Sequence, residues 1–246
     1  MTAQKPLTGR IAPDRIHMHA TPKPPAGAVD RFLTLGPCSG TISDIMDELG
    51  IPAGVIGCST LRPTIPGSII CGPAITMRNI RQRIDVLTAA KAGVNKMAEF
   101  ETHNLSEDGD VLVIQGVSGA SNMGGIGARI GKRQGQRGAI VWGAVRDVPD
   151  SRGFNYPIWS TEVIPATGKW RLETVEINGA VDINGIKVMP GDLVFADDTG
   201  VCFVPRDRIM DVLEACEART AKEDAIVKQV DDGAPVPDIM PVKKPA

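Results

Sequence analysis

Arg146 and Asp147 are the adjacent pair in this sequence that is best suited to chemistry. They follow directly on an apolar segment, and Asp150 comes three residues later. A guanidinium is a permanently charged planar fork that suits a carboxylate or an enolate oxygen. Mg²⁺ sites typically use about one or two carboxylates and keep several waters, so Asp147 as direct ligand and Asp150 as holder of a water would suffice. On spacing alone, a surface Arg-Asp pair before a proline turn accounts for the same residues.

A glycine- and serine-rich loop precedes this pair and leads into a helix predicted near residues 125–135. The first N–H groups of a helix favour an anion such as a carboxylate or phosphate. Those of Ile126 and Gly127 are the best placed, and Gly124 and Gly125 allow a ligand to approach the backbone closely. Glycine-rich helix starts are common and mostly structural, so this signal is weak when taken alone.

Other kinds of catalytic site find little support. The sequence has three histidines, His17, His19 and His103, and no serine-histidine or cysteine-histidine arrangement. The His17/His19 pair could ligate a metal, although a solvated or packing role is the simpler interpretation. The five cysteines are scattered without zinc-type spacing, which indicates buried reduced thiols. Neither a dinucleotide fingerprint nor a Walker loop is present. Lys132 and Lys169 are interpreted as solvated surface residues.

Composition predicts a globular cytoplasmic protein. The chain has 246 residues, 42% apolar and 23% charged, with a net charge of -2. This length suits one large domain, or one domain with extended termini. The absence of a basic stripe argues against nucleic acid as a partner. The N-terminus lacks an apolar signal core and no apolar stretch reaches membrane-spanning length, so neither export nor a membrane is expected.

The elements that must position Arg146 and Asp147 follow from hydrophobic periodicity. Proline-rich stretches suggest an irregular N-terminal arm over residues 1–30 and a C-terminal tail over 231–246, around a domain over 31–230. Early in the domain, Thr41 with Asp44 resembles a capping box that opens a helix closed by Gly50. A strand over residues 68–77, broken near Gly72-Pro73, and a helix over residues 82–101 are predicted next.

In the second half of the domain, strands are predicted more often than helices. Strands are predicted over residues 110–115 and 139–142, before and after the glycine-rich helix. Several short strands follow residue 154. A final helix over residues 206–229 carries a buried stripe made of Ile209, Val212, Leu213 and Cys216. Helices that alternate with strands early, and strands that dominate late, predict an α/β layered domain with a mixed sheet.

The segment from Gly125 to Asp150 resembles a family motif. Gly125, twenty residues, Arg146-Asp147, two residues and Asp150 match G-x20-R-D-x2-(E/D). That motif is typical of RraA-like proteins and of 4-hydroxy-4-methyl-2-oxoglutarate / 4-carboxy-4-hydroxy-2-oxoadipate aldolases. The resemblance extends through GDVLVI, VWGAVRD and VMPGDLVFADDTGVCFVP and covers roughly residues 35–220.

This resemblance implies a layered α-β-β-α sandwich of the swivelling β/β/α type, assembled as a homotrimer or homohexamer. It implies a divalent cation, Mg²⁺ or Mn²⁺, held by Asp147 mostly through waters, with Asp150 orienting a water. Arg146 and the backbone around Ile126 and Gly127 would hold a pyruvoyl group. Two departures bear on the substrate: bacterial aromatic-degradation aldolases carry Asp at the position of Gly125, and Ile126-Gly127 replaces a bulkier pair.

The predicted activity is class II cleavage of a 4-hydroxy-2-oxo acid to pyruvate through an enolate, with oxaloacetate decarboxylation as a side activity. Two alternatives stay open. One is a non-catalytic regulator that binds a ribonuclease; such relatives can lack the aspartate that matches Asp147. The other is a lyase or hydratase for another sugar-derived acid.

Overall fold

The computed structural model describes residues 5–52 and 54–239. Apart from a 3-10 turn at Pro13–Arg15, its helices are α1 (Ala28–Thr34), α2 (Ser39–Glu48), α3 (Val86–Lys91), α4 (Glu99–Leu105), α5 (Gly125–Arg133), α6 (Val148–Gly153), α7 (Ile209–Asp231) and α8 (Val236–Ile239). Its strands are β1 (Val55–Gly57), β2 (Arg62–Pro63), β3 (Ile70–Arg81), β4 (Val111–Gln115), β5 (Gly138–Val145), β6 (Ile158–Val163), β7 (Leu172–Ile177), β8 (Val181–Ile183), β9 (Ile186–Val188), β10 (Leu193–Ala196) and β11 (Gly200–Val204).

One mixed sheet organises the domain. Its strand order is β1-β11-β10-β3-β4-β5-β6-β2, and β7 also pairs with β3, on the edge opposite β4. Strands β3, β4, β5 and β6 run parallel to one another, whereas β10, β11 and β1 are antiparallel. Strands β8 and β9 form a separate two-stranded ribbon. The mixed α/β class expected from the sequence is therefore present, in a single domain.

The three largest apolar cores of the described residues lie between the four layers of the domain. Helices α4 and α5 cover one face of the parallel strands, where Leu112 and Val141 are buried. Helices α1, α2 and α7 cover β10 and β11, and the predicted stripe of α7 lies in this core. The third core fills the space between the two halves of the sheet, around Val113, Trp159 and Phe203. The order of layers is α-β-β-α.

Strand β3 joins the two halves. Its first residues pair with β10 and its next ones with β4, so the strand exchanges an antiparallel partner for a parallel one after Pro73. The predicted break at Gly72-Pro73 is wrong, because the strand continues to Arg81. Proline has no N–H to donate, so it is tolerated where the pairing changes.

Two helix predictions need correction. The helix expected over residues 82–101 is instead α3 and α4 with an extended connection between them. The capping box at Thr41 and Asp44 is also wrong, since α2 begins at Ser39. The carboxylate of Asp197 accepts bonds from Ser39 N (3.1 Å) and Ser39 Oγ (2.7 Å), so the cap is supplied by a residue distant in sequence.

The N-terminal arm packs along its own chain over the described residues 5–25. Ile11 and Ile16 enter the core beneath α4 and β7, and His17 N donates to Ile177 O at 3.0 Å. The first four residues of the arm, and residues 240–246 of the predicted tail, lie outside the described part of the chain. Within the described residues, no helix combines the length and apolarity that a membrane crossing requires.

Candidate functional site

Arg146 and Asp147 occupy the turn at the carboxyl end of β5. Strand β5 is buried almost throughout and ends at Val145, and α6 begins at Val148, so Arg146 and Asp147 form the turn between them at the edge of the sheet. The loop from β4 is tied to the same edge, because Asn122 N donates to Ala144 O (2.7 Å) and Arg146 N donates to Met123 O (3.2 Å). Ligands gather at this edge in layered α/β folds.

Asp147 has a left-handed backbone, with φ of 57°. Its Oδ2 accepts a bond from Gly125 N at 3.0 Å and lies 3.4 Å from Arg146 Nε. No described residue donates to its Oδ1, and the side chain is 42% exposed. Non-glycine residues with positive φ are uncommon and cluster at functional sites. The turn thus presents a fixed carboxylate with one oxygen free.

Two glycines let the carboxylates approach the loop. A Cβ at Gly124 would lie 2.9 Å from Asp147 Oδ2, and a Cβ at Gly125 would lie 2.6 Å from Asp150 Oδ2. Both carboxylates therefore lie directly over the start of α5. The carboxylate of Asp150 fills the space that a side chain on residue 125 would need, which gives a physical reason for glycine there.

The first turn of α5 completes one wall. Gly125 N is used by Asp147, whereas the N–H groups of Ile126 and Gly127 have no intrahelical carbonyl to bind. Ile126 is 71% exposed, so this first turn lies at the surface of the domain. A Cβ on Gly127 would lie 3.3 Å from Nε2 of the buried His103, so the helix fits closely on α4.

These features share one cavity of about 250 Å³. Residues 124–127, Arg146 and Asp147 line it, so the structure brings together the residues singled out in the sequence. Asp150 lies beside the cavity, above Gly125.

The opposite wall contains charged residues that the sequence did not reveal as site residues. Glu99 at the start of α4, Lys169 and Arg10 from the arm all face the same cavity. Burial raises the pKa of the half-buried Glu99 above its ordinary value, while Arg10, Lys169 and Arg146 oppose that shift. No local motif marks these three residues, because they come together only through the docking of the arm and the loop after β6.

The site meets the requirements of a single-carboxylate cation site. Among the described residues no three His, Cys, Asp or Glu side chains cluster in the manner of an all-protein metal cage. A hard cation that keeps most of its waters needs only one or two carboxylates. The free Oδ1 of Asp147 and the neighbouring carboxylate of Asp150 fit this requirement.

A sequence model of the RraA-like family (Aldolase/RraA) matches residues 39–203, which is more than half of the chain. The chain belongs to the RraA-like family. The match includes the turn after β5 and the start of α5, and it excludes the N-terminal arm.

Relatives and solved structures agree with this assignment. The chain is 31% identical over 198 residues to Protein DlpA of Legionella pneumophila; the match covers 80% of this chain and only 31% of that longer protein. It is 26% identical over 176 residues to a Halalkalibacterium halodurans protein provisionally named a 4-hydroxy-4-methyl-2-oxoglutarate aldolase, covering 71% of this chain and 78% of that one.

A crystal structure of Streptomyces coelicolor RraAS2, described as an unusual member of the RNase ES inhibitor RraA family, superposes with a TM-score of 0.69. It is 28% identical, and the match covers 82% of this chain and 96% of that one. Relatives of this chain are thus named both as aldolases and as ribonuclease inhibitors.

Proposed function

We propose that this protein is a divalent-metal-dependent lyase that cleaves a 4-hydroxy-2-oxo acid to pyruvate through an enolate. One observation carries the proposal: a guanidinium, a carboxylate with a free oxygen and the first N–H groups of a helix converge on one small cavity. This is the set of groups that an α-oxo carboxylate and its enolate need, namely fixed donors and positive charge where negative charge accumulates.

The chain's own residues have separate tasks in the reaction. Arg146 would hold the carboxylate and the keto oxygen, and the N–H groups of Ile126 and Gly127 would fix the pyruvoyl unit. The 4-hydroxyl would lose its proton to a water held by Asp150, the bond between C3 and C4 would break, and the C4 fragment would leave with its hydroxyl oxygen as a carbonyl. The electron pair passes to the keto oxygen, where Arg146 stabilises the enolate, and protonation at C3 yields pyruvate.

The implied cation would be Mg²⁺ or Mn²⁺ on the free oxygen of Asp147. When bound, it supplies additional positive charge for the enolate and fixes the orientation of the oxo acid. Oxaloacetate decarboxylation proceeds through the same enolate, and we propose it as a side activity.

Pyruvate release from a panel of substrates tests the proposal. The panel contains 4-hydroxy-2-oxo acids, oxaloacetate and hydroxy acids derived from sugars, each assayed with EDTA and with added Mg²⁺ or Mn²⁺. We expect metal-dependent pyruvate release from at least one 4-hydroxy-2-oxo acid. Turnover of a sugar acid alone, without pyruvate, would assign the chain to the lyase or hydratase alternative.

A regulatory role is the second candidate, because a structural relative is described as a ribonuclease inhibitor family member. Its test is inhibition of a bacterial RNase E-type enzyme by the purified protein. Inhibition that survives Asp147→Asn, in a protein without turnover of any panel compound, would favour this role. The free carboxylate of Asp147 favours the enzyme.

Assembly and location are also proposals. We propose a trimer or hexamer in the cytoplasm, with a small 2-oxo acid as ligand. Light scattering at micromolar concentration checks the assembly, and a monomer would contradict it.

A further inference from the structure

Buried hydrogen bonds hold the start of α4, and with it Glu99, at the wall of the small cavity. Ala98 N donates to Thr174 Oγ1 at 2.8 Å, and this hydroxyl donates to Asn79 Oδ1 at 2.8 Å. Ala98, Thr174 and Asn79 are all buried. Bonds of this kind fix a segment, because breaking one of them leaves a buried polar group without a partner. The residue that follows Ala98 therefore has a defined position beside the cavity.

The Glu99 side chain lies against the first turn of α5. A Cβ on Gly127 would lie 3.7 Å from Glu99 Cγ and 3.3 Å from His103 Nε2. Glu99 and His103 are one turn apart on α4, so both belong to the face of that helix that packs on α5. Since Glu99 also lines the cavity, it lies beside the backbone that would hold the pyruvoyl unit.

The carboxyl group of Glu99 is not used by the fold. Among the described residues, no other side chain donates a hydrogen bond to it and none forms an ion pair with it. Burial raises its pKa, and the charges of Arg10, Lys169 and Arg146 only oppose that rise. A carboxyl with a raised pKa is suited to general acid catalysis, because it carries a proton closer to neutral pH and can still release it.

The proposed reaction requires an acid at C3, since the enolate becomes pyruvate only when C3 receives a proton. Asp147 is assigned to the cation and Asp150 to the water that takes the proton of the 4-hydroxyl. Guanidinium groups keep their protons in proteins. Among the described residues that line the cavity, Glu99 and Lys169 remain as donors. An ammonium holds its proton far more tightly than a carboxyl does, so Glu99 is the better acid.

We infer that Glu99 is the catalytic acid that delivers a proton to C3 of the enolate. The inference rests on the proposed function, which supplies the enolate and its orientation. The O–H bond of Glu99 breaks, a C3–H bond forms from the electron pair of the C2–C3 double bond, and the keto C=O bond is restored. Arg10, Lys169 and Arg146 stabilise the carboxylate that remains. It then takes up a proton from solvent, which balances the proton lost by the 4-hydroxyl.

Exchange of the methyl protons of pyruvate tests this inference without a cleavable substrate. In the reverse of the proposed step, the Glu99 carboxylate removes a proton from C3, exchanges it with D₂O and returns a deuteron. Proton NMR with Mg²⁺ present follows the loss of the methyl signal. Calorimetry measures the binding of oxalate, which resembles the enolate and needs no proton transfer.

We expect the wild-type protein to catalyse the exchange and Glu99→Gln to lower its rate by about 100-fold or more, as the loss of a general acid-base group does. Oxalate affinity should stay unchanged, because the glutamine amide has the shape and neutrality of the protonated acid. If Glu99 served only as a negative charge among the cations of the cavity, the same variant would change oxalate affinity.

Three further variants complete the test. Glu99→Asp keeps an acid that is one methylene shorter and should retain part of the exchange. Lys169→Gln should exchange far faster than Glu99→Gln does. Glu107→Gln is the matched control, because Glu107 follows α4 but pairs with Lys23 at 3.1 Å. Its exchange rate should equal that of the wild type.

The outcomes separate this inference from the proposed function. If the wild type neither binds oxalate nor exchanges the methyl protons, the proposed function itself is wrong. If oxalate binds but the protons do not exchange, or Glu99→Gln exchanges them at the wild-type rate, only the assignment of Glu99 is wrong. Loss of exchange in Lys169→Gln alone would move the assignment to Lys169. Loss of both exchange and oxalate binding in Glu99→Gln would show that Glu99 only shapes the cavity.

Discussion

The two ends of β5 each carry an arginine at the mouth of a cavity, yet only one end has the chemistry of a site. Arg137 immediately precedes the strand and lines a cavity of about 670 Å³; Arg146 immediately follows it and lines the one of about 250 Å³. At the large cavity, Lys132 already donates to Asn155 O (3.2 Å). At the small cavity, the free oxygen of the Asp147 carboxylate and the N–H groups at the start of α5 lie beside the Arg146 guanidinium.

The larger of these two cavities is therefore not the one that the proposed function uses. The large cavity lies at the amino ends of the parallel strands, where no helix within residues 5–52 and 54–239 begins that could offer its N–H groups to a ligand. The small cavity lies at the carboxyl ends, where α5 begins with glycines and β5 ends in Arg146-Asp147. Charged groups that converge without partners indicate a candidate site better than cavity volume does.

The largest effect is expected from the cation ligand. Asp147→Asn should lower metal-dependent turnover by at least about 1,000-fold, because a neutral amide is a poor ligand for a hard cation and weakens charge stabilisation of the enolate. EDTA should silence the wild-type protein, and Mg²⁺ or Mn²⁺ should restore it. The measurement is pyruvate release together with circular dichroism to show that the fold survives.

Asp108→Asn at the large cavity is the matched control and should change turnover less than about twofold, as expected of surface positions outside a site. Full activity of the wild type in EDTA would contradict the proposed difference between the two ends of β5. Equal losses of turnover in Asp147→Asn and Asp108→Asn would contradict it as well.

Arg146→Ala should have the second largest effect. Losing a charge-assisted contact in an active site costs on the order of 2–4 kcal/mol, or about 30- to 1,000-fold in rate. The variant should also lose most inhibition by oxalate, a planar dianion that resembles the enolate and should bind the wild type far better than acetate does.

Arg146→Lys should recover only part of the lost activity and of the lost oxalate inhibition. Arg137→Ala is the control and should change neither turnover nor oxalate inhibition. Normal oxalate inhibition of Arg146→Ala would contradict the enolate mechanism.

A methyl group on residue 125, in Gly125→Ala, should have an intermediate effect on turnover. A Cβ there would lie 2.6 Å from Asp150 Oδ2 and 3.2 Å from Asp147 Cβ, so both carboxylates must move. We expect Gly125→Ala to lower kcat about 10-fold, since small displacements of catalytic groups are costly. Gly40→Ala in α2, where a Cβ meets nothing within 4 Å, is the control. A fully active Gly125→Ala would show that Asp150 has no fixed role.

The smallest effect on turnover is expected from the layer between the two cavities, where the predicted change is in stability. His103 is fully buried, with Nδ1 3.1 Å from Gln136 Oε1 and no described partner for Nε2. Burial lowers its pKa from 6.5 to about 4. The neutral ring is therefore favoured in the folded state, and its contribution to stability is complete above pH 6.5 and lost as pH falls toward 4.

The free energy of unfolding should consequently fall by on the order of 2 kcal/mol between pH 7 and pH 5 through this group. Urea unfolding at both pH values measures it. His103→Gln should reduce the difference between the two pH values, whereas His19→Gln in the exposed arm should leave it unchanged. An identical pH dependence in His103→Gln and wild type would contradict the assignment.

How much the sequence could predict depends on the range of the interactions. The strand before Arg146 and the stripe on α7 were predicted correctly, because periodicity and local order fix them. The cap of α2 was not, since Asp197 comes from the far end of the chain. The pair Arg146-Asp147 was found through its motif, but Arg10 and Glu99 reach the cavity only through tertiary packing, for which no local pattern exists.

The pairing of β3 with both β10 and β4 limits which parts of the sequence can be altered without loss of the fold. Because β3 belongs to both halves of the sheet, and β1 pairs with β11 from the other end of the chain, neither half is an independent folding unit. Contacts so distant in sequence must close before either half is stable, which favours slow, all-or-none folding. The strands are thus poorly tolerant of alteration, and new specificities can be acquired more readily in the segments outside them: the loop before α5, the turn after β5 and the arm.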